Sequence, residues 1–232
     1  MSIREMIEGL DHWISEQVSG YVRICPICFR KAEHCRFLCQ RCASFAAQRQ
    51  YRQWARFQEG IPVLSLYEWN ERDHLFFQEY ATSLKGGGSA QIYESLASDM
   101  LALRAHLKKC AELTVKRKWV IVPAPRRSGA LPDHAEELAF QIAKLARVSF
   151  LPCLKRRGEG SQKRKSLVSR WAQNSLELKV GRELANDQTL YIFVDDVITT
   201  GSTALLAYKS LGKPKHFEIW TLFNRPRLRG PN

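Results

Sequence analysis

No apolar run in these 232 residues approaches the roughly 20 needed to cross a bilayer. The longest, such as Trp119-Val120-Ile121-Val122, have the length of strands, so membrane insertion by a helix is excluded. Acidic residues are in deficit: Asp and Glu number 23 against 36 Lys and Arg, a formal net charge of +13, which points to anionic partners. Internal repeats and low-complexity linkers are also missing. Nor does the first stretch read as an export signal, because Glu5, Glu8, Asp11 and Glu16 interrupt any apolar core. The expected compartment is therefore cytoplasmic and reducing, where seven cysteines serve as thiols or metal ligands rather than disulfides. What is present is ordinary for a globular chain: 45% hydrophobic and 25% charged residues, which excludes global disorder.

Apolar residues at Ile3, Met6, Ile7, Leu10, Trp13, Ile14 and Val18 have helical spacing, predicting a helix over 3–18. A cysteine cluster follows, then a second helix is expected over 43–58, ended by Gly60 and Pro62. Residues 63–67 read as a strand, and 72–84 and 90–109 as helices separated by Lys85-Gly86-Gly87-Gly88. From residue 119 strand and helix alternate: strands at 119–122, 190–194 and 217–223, helices at 132–147 and 202–211. That rhythm implies an α/β fold with a mostly parallel sheet covered by helices. The domain reading is a helix, a four-cysteine knuckle and a helix in 1–60, then an α/β domain in 61–232.

Cys25-Pro-Ile-Cys28 is followed by ten residues and then Cys39-Gln-Arg-Cys42. Each C-x-x-C sets two sulfurs on one tight turn, and two such turns make a tetrahedral S₄ cage for Zn²⁺. Four protein ligands leave no open position, so the metal is structural, folding a segment too small for its own core. His34 and Cys35 lie between the pairs as bystanders, while Cys110 and Cys153 are isolated and read as small buried residues.

The most informative segment is 191–203, Tyr-Ile-Phe-Val-Asp-Asp-Val-Ile-Thr-Thr-Gly-Ser-Thr. A buried strand is followed by Asp195 and Asp196 at its carboxyl end, where ligands bind in open α/β sheets. Thr199, Thr200, Gly201, Ser202 and Thr203 then turn into a helix whose N-terminus, with their hydroxyls, forms an anion cradle. A plain helix cap needs one short polar residue, not two acids and four hydroxyls around a glycine. The combination suits a sugar phosphate: carboxylates for vicinal ribose hydroxyls, loop for the 5′-phosphate.

Residues 191–203 resemble the phosphoribosyl pyrophosphate (PRPP) signature of type I phosphoribosyltransferases. The four-cysteine knuckle, Lys85-Gly86 before a helix, Val122-Pro123-Ala124-Pro125 after a strand, and Gln162, Leu167, Arg170 and Asn174 upstream of the loop resemble the ComF family, also called GntX-like. The resemblance implies a type I phosphoribosyltransferase-like fold and PRPP bound with Mg²⁺. It also implies a part in natural competence and DNA uptake, alongside competence machinery proteins. Asp195 and Asp196 would hold the ribose, and 199–203 the phosphate. The region of Gln162, Arg164, Arg170 and Asn174 resembles the flexible catalytic loop of amidophosphoribosyltransferases. One departure stands out. ComF proteins often carry Arg-Gly-Phe-Asn-Gln before the helix after the Pro-x-Pro loop, where this chain has Leu131-Pro132-Asp133-His134-Ala135.

Arg126 and Arg127 follow the Pro-x-Pro turn, where the resembled fold binds pyrophosphate; their alternative is solvated arginines on a stiffened turn. Lys85 and its glycines are either an anion-approaching turn or an interhelical loop. The basic stretch 155–165 reads as a mobile loop closing over a substrate. Arg41, Arg49, Arg52 and Arg56 interleave with aromatics, a composition of single-stranded DNA binding, although Phe45, Trp54 and Phe57 read better as the apolar face packing this helix onto the sheet, which leaves the arginines as the phosphate contacts. The alternatives to a PRPP-dependent transferase are thus a non-catalytic single-stranded DNA or nucleotide-binding factor, and a PRPP-sensing regulator.

Overall fold

The computed structural model describes residues 25, 27–28, 30, 38–49, 55–56, 60–87, 90–109, 117–125, 133–156, 176–178 and 187–225. The expected helix at 3–18 and the basic stretch beyond Arg156 lie outside them. The chain divides into two compact units, Met1–Phe45 and Ala46–Asn232.

In chain order the elements are α1 (Gln40–Ala47), β1 (Ala55–Arg56), β2 (Pro62–Glu68), α2 (His74–Gly87), α3 (Ala90–Lys109) and β3 (Lys118–Pro123). They continue with α4 (His134–Ala146), β4 (Ser149–Phe150), β5 (Leu154–Arg156), β6 (Leu176–Leu178), β7 (Thr189–Ile198), α5 (Ser202–Ser210) and β8 (Phe217–Asn224). Six strands form one sheet in the order β1-β2-β8-β7-β3-β4, parallel except for the β1 edge, and β5 pairs with β6 as a separate antiparallel ribbon. The expected mostly parallel sheet flanked by helices is what the chain builds.

The central strands are near-continuous apolar runs because both faces are covered. Alternation sends Val120, Val122, Tyr191, Phe193, Phe217 and Ile219 to one face, packed with Ala204, Ala207 and Leu211 from α5 and its C-cap and with Leu154 and Leu176 of the ribbon. On the other face Arg104 of α3 forms a bidentate ion pair with Glu218, at 2.8 and 3.0 Å, beneath the guanidinium's stacking on Trp119. Trp220 Nε1 donates to the same carboxylate at 2.9 Å. Right-handed crossovers require this division: β2→β3→β4 progresses one way across the sheet, and β7→β8 the other.

The expected helix over 43–58 is not what forms. Its helical part is α1, ending at Ala47, and Ala55 and Arg56 pair antiparallel with Val63 and Pro62. Gly60, at φ +72°, sits in the reversal, a left-handed conformation suited to glycine. Pairing with an otherwise open sheet edge outweighs the local helical pattern here. Likewise Lys85, Gly86 and Gly87 belong to α2 rather than to an interhelical turn. Strand β7 runs four residues past Val194, so Asp195 and Asp196 lie within a strand and not after it.

Candidate functional site

The reach of β7 shapes the site. Its pairing with β3 stops at Pro123 and Val194, where Ala124 N–H donates to the Val194 carbonyl at 2.8 Å. Its pairing with β8 continues through Asp195, Val197 and Ile198. Among the described residues no strand continues alongside 195–198 on the side that faced β3. The connections also diverge here: α5 follows β7 toward β8, while α4 follows β3 toward β4 on the opposite face. Such a switch point leaves a crevice at the carboxyl ends of the two strands. A cleft of about 570 Å³ occupies it, lined from one side by Ala124, Pro125 and Asp133–Ala135 and from the other by Asp195–Ala204. That volume suits a small organic ligand.

Asp195 and Asp196 are half-buried. Their Oδ1 atoms accept from the N–H of the following residue, Asp196 at 2.9 Å and Val197 at 2.8 Å. The Thr221 hydroxyl donates to the Asp196 carbonyl at 3.0 Å, tying the acidic pair to β8.

The two helices entering the cleft treat their N-termini differently. Asp133 caps α4, its carboxylate accepting from Ala135 N–H at 3.0 Å. At α5 the N-cap is Gly201, at φ 65° and ψ 11°, with no side-chain cap bond. The Thr200 hydroxyl accepts from Ser202 N–H at 3.5 Å, and the positive end of the helix dipole lies at the cleft that Gly201–Ala204 line. Thr200 and Ser202 hydroxyls bond each other at 2.8 Å across the glycine. Backbone N–H groups at a left-handed glycine, with hydroxyls on both sides, are the groups that suit an anion.

Seven residues expected from sequence, Asp195, Asp196, Thr199, Thr200, Gly201, Ser202 and Thr203, thus line one cleft. Lys85 lies in the last turn of α2. Gln162, Arg164, Arg170, Arg126 and Arg127 fall outside the described residues. Sequence reasoning missed Trp69, Gln78, Thr82, His134 and Arg225 as lining residues. In the sequence Arg156 is one member of a basic run; in the structure it lines the cleft, and its Nε donates to the Pro125 carbonyl at 3.4 Å. Arg225 lies over Trp69, 4.9 Å from the ring centre, and its N–H donates to the Ile198 carbonyl at 2.8 Å. Both follow strand ends in the one edge where β2, β7 and β8 finish, a placement that only the topology reveals.

The other unit holds a second cluster. The sulfurs of Cys25, Cys28, Cys39 and Cys42 all lie within 4.8 Å of one another, with Cys28 and Cys39 at 3.4 Å. A tetrahedral zinc with Zn–S of about 2.3 Å requires sulfurs about 3.8 Å apart, so the four fit such an ion. Local chemistry agrees. Burial pushes the Cys25 thiol up, but backbone N–H groups of Cys39, Cys28 and Ile27 outweigh it and bring it down to about 7. Burial and the neighbouring sulfurs push Cys42 up. One thiolate forms readily and further ones repel it, the crowding that a divalent cation relieves. Cys153 is buried, as expected of an isolated cysteine.

No family model and no curated protein matches the chain. Among solved structures, the adenine phosphoribosyltransferase of Thermoanaerobacter pseudethanolicus is similar over 55% of this chain and 81% of its own, at 15% identity and a TM-score of 0.30. So slight a superposition carries no weight beside the strand order and loop geometry above.

Proposed function

We propose that the cleft binds a ribose 5-phosphate ligand, in its reactive form PRPP with Mg²⁺, and that the chain is a phosphoribosyltransferase-like protein. The observation carrying this is the joint placement, at one switch point, of a helix start at left-handed Gly201 flanked by hydroxyls and the half-buried pair Asp195 and Asp196. The helix start takes the 5′-phosphate, and the carboxylates accept from the ribose hydroxyls. Mg²⁺ would arrive on the pyrophosphate's own oxygens and help neutralise it as it leaves. In transfer, a nitrogen nucleophile attacks ribose C1 as pyrophosphate departs. Rate enhancement then comes from positioning and from neutralising the leaving group. Arg156 is a described cation on the cleft wall that suits the second task.

A four-cysteine cluster and such a cleft within one chain support the narrower reading of a ComF-like protein with a structural zinc and a role in competence. Direct single-stranded DNA binding is the lesser reading. Its support is the +13 net charge and exposed Arg41, but Arg49, one of its named contacts, is engaged by Asp73 at 2.6 Å. Pyrophosphate release from PRPP, measured with a panel of purines, pyrimidines and amines, tests the transferase reading. Release stimulated by one class supports it. PRPP binding without release under any acceptor reduces the protein to a PRPP sensor.

A further inference from the structure

The amino ends of the strands, away from the cleft, gather positive charge. Strands β8, β7, β3 and β4 lie side by side in that order and run the same way, so their starts form one rim. Lys215 stands before β8, Arg117 and Lys118 at the start of β3, and Arg147 before β4. Asp187, before β7, is the acid among the described residues of this rim. The closeness of the cations is felt at His216. Burial, then the charges of Arg117 and Lys215, hold its imidazole below the ordinary 6.5, with Asp187 opposing them.

A second cavity, of about 640 Å³, opens on this rim, lined from α3, the end of α4 and the starts of β3 and β4. Its described lining divides in two. Arg117, Lys118 and Arg147 bring three cations and no carboxylate stands among them. Leu101, Trp119 and Val148 supply an apolar wall. The Trp119 indole is fixed in place, with the Arg104 guanidinium 4.2 Å over its ring and Trp220 edge-on at 6.0 Å, and it is half-buried rather than enclosed.

The backbone at Arg147 is a second observation. It follows α4 at φ 54° and ψ 48°, the left-handed region that glycine or asparagine enters at less cost. Its N–H closes the helix on the Ala143 and Lys144 carbonyls, as the N–H of any residue there would, and Lys144 already sets a positive charge in the last turn. Neither task asks for an arginine. What the position gains is an exposed cation on the cavity wall.

We propose that this cavity is a second ligand site and that its ligand is a nucleoside polyphosphate, with the base against Trp119, Leu101 and Val148 and the phosphates on Arg117, Lys118 and Arg147. Guanidinium groups make charge-assisted, bidentate bonds to phosphate, and a polyphosphate chain has charge for all three cations. A flat base offers the indole an area to stack on. The volume suits a ligand of that size. The site lies the length of β3 away from the cleft and does not depend on the ribose-phosphate reading.

Calorimetry of ATP without Mg²⁺ on the full chain tests it. Arg117→Ala with Arg147→Asn, asparagine keeping the left-handed turn, should weaken ATP binding by more than about tenfold. Arg72→Ala with Lys209→Ala removes the same charge from exposed positions elsewhere and should change it by less than about twofold, because distant surface charges are screened. Inorganic tripolyphosphate should bind wild type several-fold more weakly than ATP, since it has nothing to stack. Equal ATP affinity in wild type and the Arg117, Arg147 variant, or no ATP binding by wild type, overturns the site. Tripolyphosphate binding as tightly as ATP overturns the nucleotide as its ligand. Ribose 5-phosphate should bind wild type and that variant alike, so a failure of the cleft reading shows in this titration and not in the ATP one.

Discussion

Gly201 holds φ 65° where the chain passes from Ile198 into α5, and hydroxyls flank it on both sides. Gly201→Val places a β-branched side chain in a region it resists and fills the proposed phosphate site as well. Ribose 5-phosphate affinity should fall by more than about tenfold, the factor for 1.4 kcal/mol, as read by calorimetry. The cysteines make the second residue-scale prediction. Metal analysis of chelator-washed protein should find one zinc per chain, and Cys28→Ser should lose it; zinc-free wild type would refute the S₄ site. Both features were legible in sequence because each is local: a strand, two acids and a Thr-Gly turn in thirteen residues, or two C-x-x-C turns. His134 was not. Its contact in the fold is Tyr93, 41 positions away, whose hydroxyl lies 2.6 Å from its Nδ1.

At the scale of elements, β2, α3, β3, α4, β7, α5 and β8 were readable from apolar runs, helical spacing and the Gly and Pro that bound them. The misread strands share one cause. Residues 55–56 are a strand because β2 offers an edge, and 195–198 are strand because β8 continues alongside after β3 has stopped. Pairing partners are not visible in a local pattern. The joins between elements carry two further predictions. Arg104 is 5% exposed and is the cation that balances Glu218. Arg104→Ala strands a carboxylate that is only 13% exposed and should cost about 3–5 kcal/mol in denaturant unfolding; a loss below about 1 kcal/mol would contradict this. Arg49 Nε donates to Asp73 at 2.6 Å, joining the turn after α1 to the start of α2. The hydrogen bond from Arg49, opposed by burial, holds the Asp73 carboxyl below its ordinary value of 3.8. A depressed carboxylate contributes stability that is present above its unfolded pKa and lost as pH falls through the folded one. Arg49→Ala should therefore cost about 1–2 kcal/mol at pH 7. In melts, the gap from wild type should close as pH drops below about 4. A gap constant down to pH 2.5 would show that the pair's charge is not what stabilises.

The whole molecule places its chemistry where the sheet's connections part. Strands β7 and β3 run side by side, send their helices to opposite faces, and leave between their ends the cleft into which Gly201, Asp195, Asp196 and His134 are brought. The order β2-β8-β7-β3 is the piece no sequence pattern supplied. The acidic pair was legible; the end of β3's pairing at Pro123, just short of it, was not. Among the described residues no helix is long and apolar enough to cross a membrane, in keeping with the lack of long apolar runs. The central claim is that this crevice is a ribose-phosphate clamp, and calorimetry of PRPP with Mg²⁺ on wild type and on the Asp195→Asn, Asp196→Asn double variant tests it most directly. Hydrogen bonds to a charged group contribute roughly 1.5–3 kcal/mol. The double variant should therefore keep its fold and bind at least about tenfold more weakly. Equal affinity in the two proteins would contradict the account.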